Sequence, residues 1–353
     1  MQGSAGTQTE NGSMLRVAMA LGALLGSIAL AQAQAATVVP TVYEAGHFIA
    51  VPTTKDGQTF RILVDTGGGG GDSIALSREA AARLKLKPSA CATPAGQSAE
   101  GLEYVSQPEY TASGAMPAAK THCADMLLIE KGIGIAAADG ITGGRYLSTR
   151  VWTFDYPARQ LRVEDGSWRS SRSSHAVDLG MQRNNSGGLG AGYPRVTIAV
   201  AGERIDVLLD TGATAQPTKA GLAAMKTPLV RGQGVASYIT TSIMDRWHAA
   251  HPEWPLVANA DDALPGKPPA RAIRVPSVEI GGWSVGAVWF TERPDANFES
   301  FMSQFMDKTI HGAVGANVLD AFVMTLDYPK AKAWLACPNA CRATPVASTA
   351  VKH

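Results

Sequence analysis

The sequence predicts a mainly β protein built from two copies of one lobe related by a pseudo-two-fold axis, and three observations carry that prediction. Asp-Thr-Gly occurs twice, each time at the end of an apolar run: Ile62-Leu63-Val64-Asp65-Thr66-Gly67 and Val207-Leu208-Leu209-Asp210-Thr211-Gly212. The residues before both copies read as a hairpin whose second strand runs into the motif. These are His47 to Val51, a Lys55-Asp56-Gly57 turn and Thr59 to Val64, then Val196 to Val200, an Ala201-Gly202-Glu203 turn and Ile205 to Leu209. The residues after them match too: Gly140-Ile141-Thr142-Gly143, Leu147, Val151, Thr153 and Asp155-Tyr156-Pro157 recur as Gly312-Ala313-Val314-Gly315, Leu319, Val323, Thr325 and Asp327-Tyr328-Pro329, at a constant offset of 172. A given tripeptide arises by chance at roughly one position in several thousand, so one copy would mean little, whereas two with matching flanks make an internal repeat.

In chain order, residues 1–35 read as a signal peptide and leader. Arg16 precedes an apolar run from Val17 to Ala31, and Ala31-Gln32-Ala33 offers a cleavage site. The run is shorter than the roughly 20 residues a spanning helix needs, so a periplasmic or secreted protein is expected, held at a membrane only if the signal stays uncleaved. Met14 is an alternative start, because Met1 to Ser13 is polar. The first lobe is placed at 41–165 and the second at 192–336, with a tail at 337–353. Between the lobes, 166–191 is dense in Ser, Arg, Asn and Gly and reads as a flexible linker. A short helix is expected after each motif, Ser77 to Leu84 opening on a good cap and Thr218 to Leu222 less so. The motif aspartates are only 145 apart, so the second copy carries 27 extra residues (172 − 145), expected mainly between Ile243 and Ala272. The remainder is short β-rich runs punctuated by Gly and Pro.

Composition narrows the function classes. With 353 residues, 45% of them hydrophobic, and a net charge of +1, the chain can bury two ordinary cores and has no electrostatic bias toward nucleic acid. Export would oxidise the four cysteines. Of three possible pairings, Cys91 with Cys123 and Cys337 with Cys341 is favoured, the first tying down the segment after the first helix and the second closing the tail. No zinc site is expected, since His248 and His251 have a ligand-like spacing but no obvious third ligand.

The order of hairpin, Asp-Thr-Gly, short helix, flap region, hydrophobic-hydrophobic-Gly, helix and final strand resembles the aspartic peptidases, over Tyr43 to Val163 and Tyr193 to Leu335. Each unit is similar to a retropepsin-like protomer, and two in one chain resemble the bilobal pepsins. Ala313 to Leu319 is the closer match to the family's second motif, and the first copy departs from it with polar Thr142. The resemblance implies two retropepsin-like closed β-barrel lobes in a monomer, a polypeptide substrate, no cofactor and no metal, with Asp65 and Asp210 as the catalytic pair.

Residue chemistry agrees with that implication. A lone desolvated carboxylate is costly, but two face to face can share one proton and act as a general acid and base. Gly67 and Gly212 permit a tight turn and close backbone approach to the carboxylates. Thr66 and Thr211 each bring a hydroxyl able to donate to the opposite loop, which is the bracing role the family gives them. Tyr104, Tyr110 and Tyr238 fall where a substrate-covering flap is expected, although packed aromatics are the commoner use of tyrosine. Trp247, Trp254, Trp283 and Trp289 are read as core or lid.

Two departures from the family stand out. Pepsin-like enzymes place a hydroxyl residue directly after the glycine, where this chain has Gly68 and Ala213, so a milder pH optimum is expected. Gly67 to Gly71 form a run costly to order. It is no phosphate loop, because no Lys-Ser/Thr follows and Asp72 would repel phosphate. The competing readings are a catalytically silent peptide-binding or inhibitor-like module on the same fold, and a repeat that serves homodimer assembly.

Overall fold

A computed structural model describes residues 36–69, 72–89, 102–119, 125–131, 138–264 and 266–344. The first copy supplies β1 (Thr37–Val39), β2 (Thr41–Glu44), β3 (His47–Ala50), β4 (Ile62–Asp65), β5 (Ala75–Ser77), α1 (Arg78–Arg83), β6 (Tyr104–Val105), β7 (Met126–Ile129), β8 (Gly140–Gly143), α2 (Gly144–Ser148), β9 (Val151–Asp155) and β10 (Gln160–Glu164). After β11 (Ser174–Asp178) come β12 (Arg195–Val200), β13 (Glu203–Leu209), β14 (Thr214–Ala215), α3 (Lys219–Met225), β15 (Gly234–Val235), β16 (Tyr238–Thr240), α4 (Thr241–Ala250), β17 (Leu256–Asp261) and β18 (Ala270–Val275). The chain continues through β19 (Val278–Ile280), β20 (Trp283–Val285) and β21 (Val288–Arg293), a helical stretch over Ala296–Phe301 and Met302–Phe305, then β22 (Gly312–Val314), α5 (Ala316–Leu319), β23 (Val323–Asp327), β24 (Lys332–Ala336) and β25 (Arg342–Ala343).

The duplication is visible strand by strand. One sheet runs β2-β3-β4-β8-β5-β7-β6, and the second lobe repeats its last six positions as β12-β13-β22-β16-β21-β18 inside a ten-stranded sheet. In both lobes the motif strand lies parallel to the later Gly-rich strand, with Leu63 opposite Ile141 and Leu208 opposite Ala313. β3 and β4 are buried at every position, which is why they read as unbroken apolar runs. β12 has one face out and buries only Val196, Ile198 and Val200, so it alternates.

Both lobes share a six-stranded sheet, β1-β10-β9-β23-β24-β11, that forms the floor of the molecule. The pseudo-axis passes between β9 and β23, where Thr153 faces its own counterpart Thr325 and the two hydroxyls are 2.7 Å apart. β1 pairs with β10 as β11 pairs with β24. Aromatic packing joins the floor to the first lobe, with Phe48 edge-on to Phe154 at 5.7 Å and to Tyr156 at 5.1 Å.

Several expectations need correction. Closed barrels are absent among the described residues. Closure requires first and last strands to pair, and here each lobe's sheet is an open series, ending on β2 and β6 in the first lobe and on β17 and β25 in the second. Nor is the 166–191 linker free of regular structure, because Ser174–Asp178 pairs along its length with Lys332–Ala336. Of the two expected helices, α1 is capped by Ser77 Oγ, which accepts from Ala80 N, and α3 by Thr218 Oγ1, which accepts from Gly221 N. Sheet register, however, makes α4 the counterpart of α1, since Leu76 and Ile239 face Gly140 and Gly312. The insertion therefore falls mostly before Ile243: Asp210 and Tyr238 are 28 positions apart, and the equivalent Asp65 and Ala75 only 10.

Cys337 and Cys341 form a disulfide, with 6.0 Å between Cα atoms, while Cys91 and Cys123 lie outside the described residues. Trp247 and Trp254 are buried against each other, Trp283 donates to Leu335 O, and Trp289 is partly buried on β21. No helix among the described residues is long and apolar enough to cross a membrane.

Candidate active site

The two motif strands end side by side, and their loops interlock. Thr66 Oγ1 donates to Leu209 O at 2.6 Å and accepts from Thr211 N at 3.0 Å. Thr211 Oγ1 donates to Val64 O at 2.9 Å and accepts from Thr66 N at 3.1 Å. All four bonds cross between the lobes, and both threonines are buried. Such a closed, fully satisfied network fixes the separation of the loops, because no member can move without orphaning a partner.

Asp65 and Asp210 face each other on top of this brace. Gly67 N donates to Asp65 Oδ1 at 2.8 Å, and Gly212 N donates to Asp210 Oδ1 at 3.0 Å. Each glycine also covers the opposite carboxyl: a Cβ on Gly67 would lie 2.5 Å from Asp210 Cγ, and one on Gly212 would collide with the Asp65 carboxyl. The two carboxyls stand close enough to influence each other's titration. Burial pushes both pKa values above the ordinary carboxylate value. The Gly67 N–H, the neighbouring Asp210 side chain and further backbone N–H groups pull Asp65 back down. The neighbouring Asp65 side chain, chiefly through its charge, drives Asp210 further up. Two acids so placed lose their protons in two steps that belong to the pair as a whole.

The glycine-rich first loop has geometric reasons. A Cβ at Gly68 would sit 2.5 Å from Asp65 Oδ2, and Gly69 has φ of +91° with Gly143 N only 2.6 Å from its absent Cβ. The missing hydroxyl after Gly67 is therefore a steric requirement of this loop. Gly70 and Gly71 lie outside the described residues.

A cleft of about 610 Å³ opens on the Asp210 side, walled by Leu208, Tyr238, Leu264, Phe298, Phe301 and Met302. Of the three flap candidates only Tyr238 reaches it, and it does so from the sheet, as part of β16, not from a covering hairpin. Its hydroxyl donates to Thr214 O at 2.5 Å and accepts from Thr214 N at 2.6 Å, pinning the loop after Asp210. Tyr104 is on β6 opposite Leu127, and Tyr110 stacks on Phe60 at 6.4 Å; neither lines the cleft.

Sequence reasoning missed a buried ion pair in the cleft wall. Arg293 Nη2 bonds Asp261 Oδ2 at 2.9 Å, and the guanidinium lies 4.1 Å over the Tyr238 ring. Asp261 also accepts from Gln216 N at 2.7 Å. Two further residues, His47 and Tyr193, were missed as well: His47 touches the loop after Asp210, and Tyr193 the loop after Asp65. Among the described residues no group of three or more His, Cys, Asp or Glu side chains is arranged to hold a metal ion. His251 stacks on Trp254 at 4.1 Å.

Duplicated lobes on a shared six-stranded floor, with two reciprocally braced Asp-Thr-Gly loops above it, define a bilobal aspartic-peptidase fold. Solved structures similar to the chain include the aspartic proteinase from Irpex lacteus, with a TM-score of 0.48 and 14% identity over 86% of this chain and 98% of that one. Another is a retropepsin-like aspartic protease from Rickettsia conorii, with a TM-score of 0.27 and 15% identity over 48% of this chain and 95% of that one. No family profile and no curated protein sequence matches the chain.

Proposed function

We propose that the protein is an aspartic-type endopeptidase that hydrolyses peptide bonds with a water activated jointly by Asp65 and Asp210. One observation carries the reading: each carboxyl is enclosed by its own loop's N–H and by the glycine of the opposite loop, so two acids share one small space. In the singly protonated pair, Asp65 takes a proton from water as the water oxygen bonds to the scissile carbonyl carbon, and Asp210 gives its proton to the carbonyl oxygen. Collapse of the resulting gem-diol breaks the C–N bond. The leaving nitrogen then takes the proton held by Asp65, and a diol hydroxyl returns one to Asp210. The apolar wall beside Asp210 would seat a substrate side chain.

No side-chain hydroxyl follows either motif glycine, so the ionised form lacks one usual support, and an optimum in weakly acidic to neutral pH is proposed. The segment from Arg16 to Ala33 supports export to the periplasm or medium, and two complementary half-sites in one chain support a monomer. Asp65→Asn and Asp210→Asn are each expected to abolish cleavage of a denatured protein. Survival of activity in either would overturn the shared dyad, and peptide affinity without turnover in the unmodified protein would leave a binding module.

A further inference from the structure

We infer that His47 is a positioning residue of the dyad, leaving the first lobe to fasten the active-site loop of the second, and that Tyr193 is its counterpart in the opposite direction. The inference rests on the aspartic-dyad reading and extends it to residues outside the two motifs.

The two residues occupy equivalent places in the repeat. Ala45-Gly46-His47 and Ala191-Gly192-Tyr193 precede their aspartates by 18 and 17 positions. Both glycines have positive φ, +85° and +81°. Each turn seats on the other lobe. A Cβ on Gly46 would collide with Val235 and lie 3.3 Å from Ala316 Cβ, and one on Gly192 would lie 2.7 Å from Gly144 C. Ala316 and Gly144 are themselves equivalent, each opening the helix after the second motif. Only glycine allows such an approach.

Beyond each turn the side chain meets a loop residue four positions after the aspartate. His47 is 1% exposed, and its Nε2 lies 3.2 Å from Thr214 Oγ1. The Thr214 hydroxyl donates to Gly212 O at 2.8 Å, so it accepts from His47 Nε2–H. The Tyr193 hydroxyl approaches Gly69 O at 3.5 Å, a looser contact. His47 is flanked by Phe48, Ile49 and Ala50, all fully buried, and its Nδ1 has no hydrogen-bond partner among the described residues. A half-satisfied imidazole is an expensive filler for such a site, so packing alone does not account for it.

What His47 holds is chemically relevant. The N–H groups of Gly212 and Ala213 bear on Asp210, and both residues belong to the segment that Thr214 closes. The groups facing the ring are the carbonyls of Ala213 and Gly212 across the interface, those of Glu44 and Ala45 on its own hairpin, and the Thr214 hydroxyl. The Glu44 carboxylate pairs with Arg61. Burial lowers the imidazole pKa, keeping the ring neutral into mildly acidic conditions. Without the brace the loop donors lose alignment with Asp210, which then holds its proton more tightly.

The test measures kcat, KM and their pH dependence for His47→Ala, His47→Gln and Thr214→Ala in the full chain with a fluorogenic peptide. The expected result for His47→Ala is a loss of about tenfold in kcat with KM little changed, and an alkaline limb displaced to higher pH. Gln, whose amide can donate to Thr214, restores kcat to within about threefold, and Thr214→Ala reproduces the displacement with the imidazole retained. Unchanged limbs in folded His47→Ala and Thr214→Ala, or equal behaviour of the Ala and Gln variants, would overturn the assignment. If the unmodified protein turns nothing over, the proposed activity fails separately. The brace is then read from a double-mutant cycle in urea: a departure from additivity of about threefold or more in the unfolding constant supports it, and additive losses refute it.

Discussion

Replacing Thr211 by Val removes one hydroxyl from the inter-lobe brace while keeping side-chain volume. The consequence is legible bond by bond. Thr66 N–H loses its acceptor at 3.1 Å, and Val64 O loses a donor at 2.9 Å, both at buried positions. A buried polar group left unpaired costs about 1–3 kcal/mol, so two give about 2–6 kcal/mol, a large share of the roughly 5–15 kcal/mol by which a domain is stable. No cavity opens, so packing contributes little. Urea unfolding at constant m-value measures the change directly. Thr66→Val should cost a similar amount by pseudo-symmetry, and the double variant should cost less than the sum, because each single change already breaks the same ring of bonds. A Thr211→Val loss below about 1 kcal/mol would mean that water or a loop shift satisfies the orphaned groups and that the ring does not set the loop spacing.

Other outcomes follow from the same geometry. Asp210 is raised in the folded state, so the native protein binds more protons than the unfolded chain above the ordinary carboxylate pKa. Stability should fall as pH rises from about 4 toward neutrality, and Asp210→Asn should flatten that fall; parallel urea curves for the two proteins would contradict it. Arg293→Leu strands the buried Asp261 charge and should cost about 3–5 kcal/mol in thermal melts, most of it recovered when Asp261→Leu is added. Thr142, fully buried with a hydroxyl that has no partner among the described residues, stands where the second copy has Val314, so Thr142→Val should raise stability by about 1 kcal/mol in the urea assay.

The pieces readable in the sequence are those repeated in type as well as place. Asp65, Thr66 and Gly67 recur as Asp210, Thr211 and Gly212, and the structure brings the two sets together with the threonines bonded across the interface. His47 and Tyr193 escaped because equivalent places carry different residues, although the shared Ala-Gly before them was a signal of the turn. β11 escaped because its burial is shallow and its sequence polar; its strand character comes from pairing with β24, a long-range partner no local pattern announces. The insertion was misplaced because Thr218 and Ser77 are both sound helix caps, and only the register of β16 against β22 shows that α4 is the true counterpart of α1. Tyr238 was assigned to a flap from its distance along the chain, which does not distinguish a hairpin above a cleft from a strand beneath it.

The meeting of Thr153 with Thr325 on the pseudo-axis bears on how the halves can come together at all. Strands cannot slide by a fraction of a residue, and a one-residue slip there would turn Trp152, Phe154, Met324 and Leu326 from the interior to the opposite face. Docking of the halves is thereby quantised: the two Asp-Thr-Gly loops either meet in full or stand a whole strand step apart. A hinge would tune that spacing gradually, whereas this seam ties it to the register of β9 against β23.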